Sequence, residues 1–103
     1  MIIESRVSDK IVYLYPKGRL DFTLFMAFEK AIGQIVKDNP DKHILLNMKE
    51  LEYLNSSSLR VITILAQNLR KNNLRLYACG LSGIVKRVLE ITNVIEIMDI
   101  VKS

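Results

Sequence analysis

The chain has 103 residues, of which 50% are apolar and 25% charged, and its formal net charge is +4. This composition suits one domain over residues 1–103 around a single core, and it excludes a disordered chain. Residues 1–7 lack the basic start and apolar stretch of a signal peptide, and no window reaches the roughly 18 to 20 apolar residues of a membrane span. We therefore expect a cytoplasmic protein without membrane insertion.

Two strands and a helix are predicted at the start of the chain. Residues 2–7 and 11–15 are rich in β-branched and aromatic side chains, and the polar residues between them suit a hairpin. Helical spacing follows over residues 22–36, with Asp21 as the capping residue and Asn39, before a proline, as the stop. The apolar stripe of this helix consists of Phe25, Phe28, Ile32 and Ile35.

The middle of the chain predicts a central strand and a second helix. Residues 44–46 are apolar at successive positions, as expected for a strand covered on both faces, and a loop through residues 51–54 follows. Apolar spacing predicts a helix over residues 57–71, which Asn72 and Asn73 end in a left-handed turn. We expect four of its residues to face the core: Leu59, Ile62, Ala66 and Leu69.

The last third predicts a strand over residues 75–79, a third helix capped by Ser82, and a final short strand over residues 95–97. The inward residues of the third helix are Ile84, Val85, Val88 and Leu89. Strands and helices alternate with short connections. This order indicates an α/β fold with a mixed four- to five-stranded sheet and helices packed mainly on one side.

Neither the single cysteine nor the single histidine predicts a reactive site. Cys79 lies in an apolar run, so we expect a buried structural residue. His43 has no second histidine or cysteine at ligand spacing, and no Gly-rich phosphate loop is present. A nucleophilic serine would also lack a base and an orienting group. We therefore expect no metal, no cofactor and no catalytic residue.

The excess of positive charge lies in the second half of the chain. Six basic residues and no acidic one occur between residues 60 and 87. A solvated pair of helices accounts for this pattern, and so does a surface for an acidic partner or a phosphate. The six residues are Arg60, Arg70, Lys71, Arg75, Lys86 and Arg87.

Residues 55–58, with the sequence Asn-Ser-Ser-Ser, gather polar side chains where the second helix begins. Asn and Ser cap helices there by accepting hydrogen bonds from free backbone N–H groups. One cap needs only one such residue, so hydroxyls remain free. Because a helix N-terminus also favours an anion, a phosphorylatable serine is physically plausible at this position.

These segments together resemble the STAS domains of anti-sigma factor antagonists. Residues 18–21, Gly-Arg-Leu-Asp, resemble that family's signature of glycine, any residue, leucine and aspartate. Residues 43–48 and 51–59 resemble the strand and loop that end in the family's Asp-Ser-Ser-Gly-Leu motif. Ser82 and residues 85–89 resemble the third helix. The resemblance extends over nearly the whole chain.

The resemblance implies roles for individual residues. Ser56 matches the serine that a partner kinase phosphorylates, with Ser57 as the alternative, and Asp21 matches an aspartate beside that serine. The chain differs from the family at Asn55, where the motif has aspartate, and at Ser58, where it has glycine. The implied contact surface lies around the N-termini of the first two helices and consists of Asp21, Phe22, Leu24, Met26, Asn55, Ser56, Ser57 and Arg60.

Three apolar residues of this surface fall away from the apolar stripe of the first helix: Phe22, Leu24 and Met26. Exposed apolar side chains mark partner sites, so they are candidate contacts. Burial in the core is the other interpretation, since the sequence alone favours neither.

The resemblance implies partner switching rather than enzyme activity. The unmodified protein would bind an anti-sigma factor, a serine-protein kinase with a histidine-kinase-type ATPase fold, and thereby free a sigma factor. Phosphorylation of Ser56 would end this binding, and a PP2C-type phosphatase would restore it. The alternative is a STAS scaffold subunit of a signalling or lipid-transport complex that is never phosphorylated. Nucleic-acid binding through the basic stretch is a third hypothesis. It is not the one we favour, so we expect no nucleic-acid partner.

Overall fold

The computed structural model describes residues 3–102, so Ile2, with which the first predicted strand begins, lies outside the described residues. The strands are β1 (Glu4–Val7), β2 (Ile11–Tyr15), β3 (Gly18–Leu20), β4 (His43–Asn47), β5 (Leu51–Leu54), β6 (Leu76–Cys79) and β7 (Asp99–Ile100). The helices are α1 (Phe25–Asp38), α2 (Ser56–Lys71) and α3 (Gly83–Ile91), with a short 3-10 helix at Val94–Ile97.

The main sheet is mixed and five-stranded, in the order β1-β2-β4-β6-β7. β1 is antiparallel to β2, whereas the pairs β2/β4, β4/β6 and β6/β7 are parallel. Ile44 of β4 lies between Val12 of β2 and Leu76 of β6 in the register. The prediction of a central strand in a mixed α/β sheet is therefore confirmed. The predicted cover on both faces is wrong, because Leu45 is only half-buried on the face opposite the core.

The core forms between one face of this sheet and the helices. Every second residue of β2 and β4 is buried, as the two-residue period of a strand requires. The four predicted inward residues of α2 are all buried, and Val61 and Leu65 are buried beside them. Cys79 is buried as predicted.

Residues 51–54, which the sequence predicts as a loop, form strand β5 instead. β5 pairs in parallel with β3 in a second, two-stranded sheet. Leu51 and Leu54 are both buried at a spacing of three residues, so the segment lacks the alternation by which a strand is recognised. Its partner β3 has only three residues and lies far away in sequence.

The third helix differs from the prediction in one of the four residues expected to face the core. Val85 and Leu89 are buried and Val88 is half-buried, but Ile84 is exposed. Ile84 lies in the first turn of α3, about 100° around the helix axis from the buried Val85 and hence towards solvent. Ser82 occupies the predicted capping position without a side-chain hydrogen bond to the helix.

The predicted final strand over residues 95–97 is also wrong. Asn93 adopts a left-handed conformation with φ 62°, and the N–H of Glu96 donates to the carbonyl of Asn93 at 3.1 Å. This turn starts the 3-10 helix, and the strand β7 follows it. The alternation of Ile95, Glu96 and Ile97 therefore belongs to a tight helical turn.

Candidate functional site

The two-stranded sheet brings Asp21 and Asn55 together. β3 ends immediately before Asp21, and its parallel partner β5 ends immediately before Asn55. The backbone N–H of Asn55 donates a hydrogen bond of 2.9 Å to the carbonyl of Leu20. The carboxyl ends of neighbouring parallel strands thus set two of the predicted site residues side by side.

Asp21 caps a turn that precedes α1. One oxygen of its carboxylate accepts hydrogen bonds from the backbone N–H groups of Thr23 at 3.0 Å and Leu24 at 3.2 Å. The helix was predicted from residue 22, but it begins at Phe25 because residues 22–24 form the turn that Asp21 caps. The turn carries Phe22 outward, away from the apolar stripe of α1.

The three neighbouring serines differ in burial. Asn55 accepts a hydrogen bond of 2.8 Å from the backbone N–H of Ser58 and so caps α2. Ser56 is exposed, Ser57 is half-buried and Ser58 is fully buried. The hydroxyl of Ser58 has no hydrogen-bond partner among the described residues. Of the three serines, Ser56 is therefore the most exposed.

An exposed apolar patch adjoins the turn at Asp21. Phe22 is 83% exposed and Met26 is 66% exposed, whereas Leu24 is half-buried. The rings of Phe22 and Phe25 lie 6.0 Å apart at a tilt of 53°. The interpretation of Phe22 and Met26 as core residues is therefore wrong, and both present apolar surface to solvent.

A basic residue of α2 lies near the exposed serine, and a second basic residue lies near the start of β3. Arg60 is exposed four residues after Ser56, hence on the same face of α2, and the first turn of α2 has no acidic residue. Near the start of β3, Lys17 pairs with Glu4 at 3.0 Å and with Glu50 at 3.6 Å. The hydrogen bond and charge of Glu4, together with the charge of Glu50, raise the pKa of Lys17.

Arg19 and Tyr53 form a contact that the sequence analysis missed. They face each other in the register of β3 and β5, and the guanidinium of Arg19 lies 4.6 Å from the centre of the Tyr53 ring. This distance is within the range of a cation–π interaction. The signature over residues 18–21 leaves its second position open, so only the assignment of residues 51–54 as a strand would have predicted the pair.

The other candidate groups have structural roles. His43 accepts a hydrogen bond of 3.0 Å at Nδ1 from the backbone N–H of Arg75, and burial raises the pKa of the Cys79 thiol. The guanidinium of Arg75 pairs with Asp99 at 3.1 Å, so one of the six basic residues is engaged within the fold.

Between residues 3 and 102, no cluster of three or more potential metal ligands is present. None of the helices in this range combines the length and apolar character needed to traverse a bilayer.

Comparison with known proteins places these features in context. The model of the STAS domain family matches residues 3–103. An anti-sigma-B factor antagonist of Staphylococcus aureus is 26% identical over 98 residues, which are 95% of this chain and 90% of that protein. A crystal structure of a Thermotoga maritima protein has a TM-score of 0.86 at 24% identity, covering 98% of this chain and 86% of the other.

The anti-sigma factor antagonist SpoIIAA of Bacillus has the same fold. Its unphosphorylated form gives a TM-score of 0.76 at 14% identity, with 99% of this chain and 89% of that chain covered. SpoIIAA has also been solved in a phosphorylated form, for which the TM-score is 0.75. The chain therefore shares its overall fold with these solved structures.

Proposed function

The chain belongs to the STAS domain family, and we propose that it is an anti-sigma factor antagonist whose partner binding is switched off by phosphorylation of Ser56. The partner would be an anti-sigma factor, a serine-protein kinase with the histidine-kinase-type ATPase fold. Binding of the unmodified protein would free the sigma factor, and a PP2C-type phosphatase would return the phosphorylated protein to its binding form. Relatives named anti-sigma-B factor antagonists support an anti-sigma factor as the partner.

The different burial of three neighbouring serines is the observation that carries the switch. Ser56 is exposed at the first position of α2, Ser57 is half-buried, and Ser58 is fully buried. A kinase must reach the hydroxyl that it modifies. Ser56 therefore meets this requirement best, and Ser57 is its local rival.

The position of Ser56 allows a phosphate without unfolding the domain. A phosphoserine carries about −1.5 to −2 charges, which the macrodipole of α2 favours at its N-terminus. Arg60, on the same face of α2, adds a positive charge one turn away. Modification should therefore alter recognition more than stability.

The same phosphate would oppose docking of the partner. Ser56 adjoins Asn55 and Asp21 at the paired strand ends, and the patch of Phe22 and Met26 follows the turn at Asp21. Exposed apolar residues supply the buried centre of a typical interface. A doubly charged group brought into such a contact must lose its hydration, and it repels acidic residues of the partner.

Calorimetry with the anti-sigma factor of the same organism tests this proposal. We expect Ser56→Ala to bind like the wild type, whereas Ser56→Asp should bind at least roughly 30-fold more weakly, because a charge in a desolvated contact costs about 2 to 5 kcal/mol. Ser57→Asp is the matched control and should have a smaller effect. Equal losses in both Asp variants would contradict the assignment of Ser56.

A phosphorylation assay gives an independent test. After incubation with the anti-sigma factor and ATP, mass spectrometry should find one phosphate, on Ser56, and none in Ser56→Ala. Phosphate on Ser57 would move the switch by one residue. Partner binding without any phosphate would favour the alternative, a STAS scaffold subunit of a signalling or lipid-transport complex. Salt-sensitive binding to random duplex DNA would instead favour the nucleic-acid hypothesis.

A further inference from the structure

β1 is an open edge of the main sheet. All four of its residues are exposed, and its one neighbour among the described residues is β2. Val7 is 59% exposed although it lies opposite Val12, which is fully buried. An edge strand with free backbone groups is a template for a further strand. The side chains of β1 determine which strand can pair with it.

The register of β1 and β2 determines which backbone groups are free. The N–H of Ser8 donates to the carbonyl of Ile11 at 2.9 Å, so these two residues form a hydrogen-bonded pair at the end of the hairpin. Hydrogen-bonded pairs alternate along an antiparallel ladder, so Arg6 and Glu4 also bond to β2. The N–H and carbonyl groups of Ser5 and Val7 therefore point away from the sheet.

We propose that β1 pairs with β1 of a second copy of this chain, antiparallel and with Ser5 opposite Ser5 of that copy. The two outward-facing Ser5 backbones would then exchange both hydrogen bonds across a two-fold axis, as an isologous contact requires. This register sets Glu4 directly opposite Arg6 of the second copy. By symmetry, the opposed charges meet twice.

The apolar side chains fit the same register. Val7 comes opposite Ile3 of the second copy, and Ile3 is half-buried and packed against the core. The exposed surface of Val7 would thus be covered by a neighbour of the same character. The neighbouring registers that still pair outward-facing backbones are shifted by two residues, and they would set Arg6 opposite Arg6 or Glu4 opposite Glu4. Like charges directly opposite are destabilising, so the register with Ser5 opposite Ser5 is the favoured one.

The contact joins two five-stranded sheets across one short strand from each copy. Such a contact buries less surface than a standard interface, so the dimer is weak and depends on protein concentration. It uses β1 rather than the serine cluster at the start of α2. Its failure and the failure of the proposed switch are therefore distinguishable.

Sedimentation equilibrium of the full chain tests the dimer through charge reversal. Arg6→Glu sets Glu opposite Glu, and Glu4→Arg sets Arg opposite Arg, so each variant alone should show a dissociation constant raised about ten-fold or more. An equimolar mixture restores both opposed pairs and should associate within about three-fold of the wild type. Arg87→Glu on α3 is the control for net charge and should behave like the wild type.

Three outcomes overturn the proposal, provided that circular dichroism shows every variant to be folded. The first is a wild-type protein that stays monomeric up to about 1 mM, where weak contacts are still populated. The second is unchanged association of both single variants, which would locate a dimer contact elsewhere. The third is failure of the mixture to recover association, which would exclude this register.

Discussion

The side-chain oxygen of Asn55 accepts a hydrogen bond of 2.8 Å from the backbone N–H of Ser58, so a neutral amide caps α2. The family motif has aspartate at this position, whose charge would add an attraction to the helix N-terminus. The capping hydrogen bond and the charge of the capping residue can therefore be changed separately. One substitution removes the cap, and another keeps it and adds the charge.

We predict that Asn55→Ala lowers the free energy of unfolding by about 1 kcal/mol, because the N–H of Ser58 loses its acceptor. Asn55→Asp should keep the cap and raise stability by up to about 1 kcal/mol at low ionic strength, with the gain shrinking as salt is added. Urea denaturation measures both variants. Equal stability of the wild type and Asn55→Ala would show that the cap is not needed.

The buried hydroxyl of Ser58 leads to a prediction of opposite sign. It has no partner among the described residues, and an unsatisfied buried polar group costs about 1 to 3 kcal/mol. Ser58→Ala should therefore raise the free energy of unfolding by about 1 kcal/mol. The matched control, Ser56→Ala at an exposed position, should change it by less than about 0.5 kcal/mol. A loss of stability in Ser58→Ala would mean that the hydroxyl is hydrogen-bonded in solution.

The sequence predicted those helices and strands whose own residues show a regular apolar pattern. The spacing in α2 identified its buried face because a long amphipathic helix repeats its pattern several times. β5 was missed because its identity depends on pairing with the distant β3, which no local pattern records. Ile84 was misplaced because it lies at the edge of the apolar stripe, about 100° around the helix axis from the buried Val85.

The residues of the candidate site were predicted from sequence, but their arrangement was not. The Asn-Ser-Ser-Ser run indicated a cap, yet the sequence did not distinguish which of its side chains is buried. Burial of Ser58 and exposure of Ser56 follow from how α2 packs on the core. Likewise, the exposure of Phe22 depends on the capped turn at Asp21, which delays the start of α1.

The apolar patch gives a prediction about partner affinity. We expect Phe22→Glu and Met26→Glu each to weaken anti-sigma factor binding about 30-fold or more, since truncating or charging a central contact costs about 2 kcal/mol. Ile91→Glu on α3 is the matched control because Ile91 is also exposed, by 67%. Calorimetry should show unchanged affinity for this control. If all three variants bind with the affinity of the wild type, the contact surface lies elsewhere.

The Cys79 thiol gives a prediction about pH. Burial raises its pKa, so the folded state holds the proton more tightly than the unfolded state does. The thiol's contribution to stability is therefore present below the ordinary cysteine pKa and decreases as the pH rises above it. In the native protein, Cys79 should react slowly with a thiol reagent at pH 8, and denaturant should speed the reaction. Fast labelling without denaturant would contradict the buried assignment.

Two glycines separate the effect of backbone conformation from that of close packing. Gly80 and Gly83 both have positive φ, at 71° and 55°. A Cβ added at Gly80 would lie 2.8 Å from the backbone N of Lys49. A Cβ added at Gly83 would meet nothing within 4 Å. Gly83→Ala should cost about 1 to 2 kcal/mol from conformation alone, and Gly80→Ala about 1 to 3 kcal/mol more because the Lys49 backbone must move. Thermal unfolding should show a midpoint for Gly80→Ala lower than that of Gly83→Ala by at least about 4 °C. Equal midpoints would mean that the approach of residue 80 to Lys49 is looser than the structure indicates.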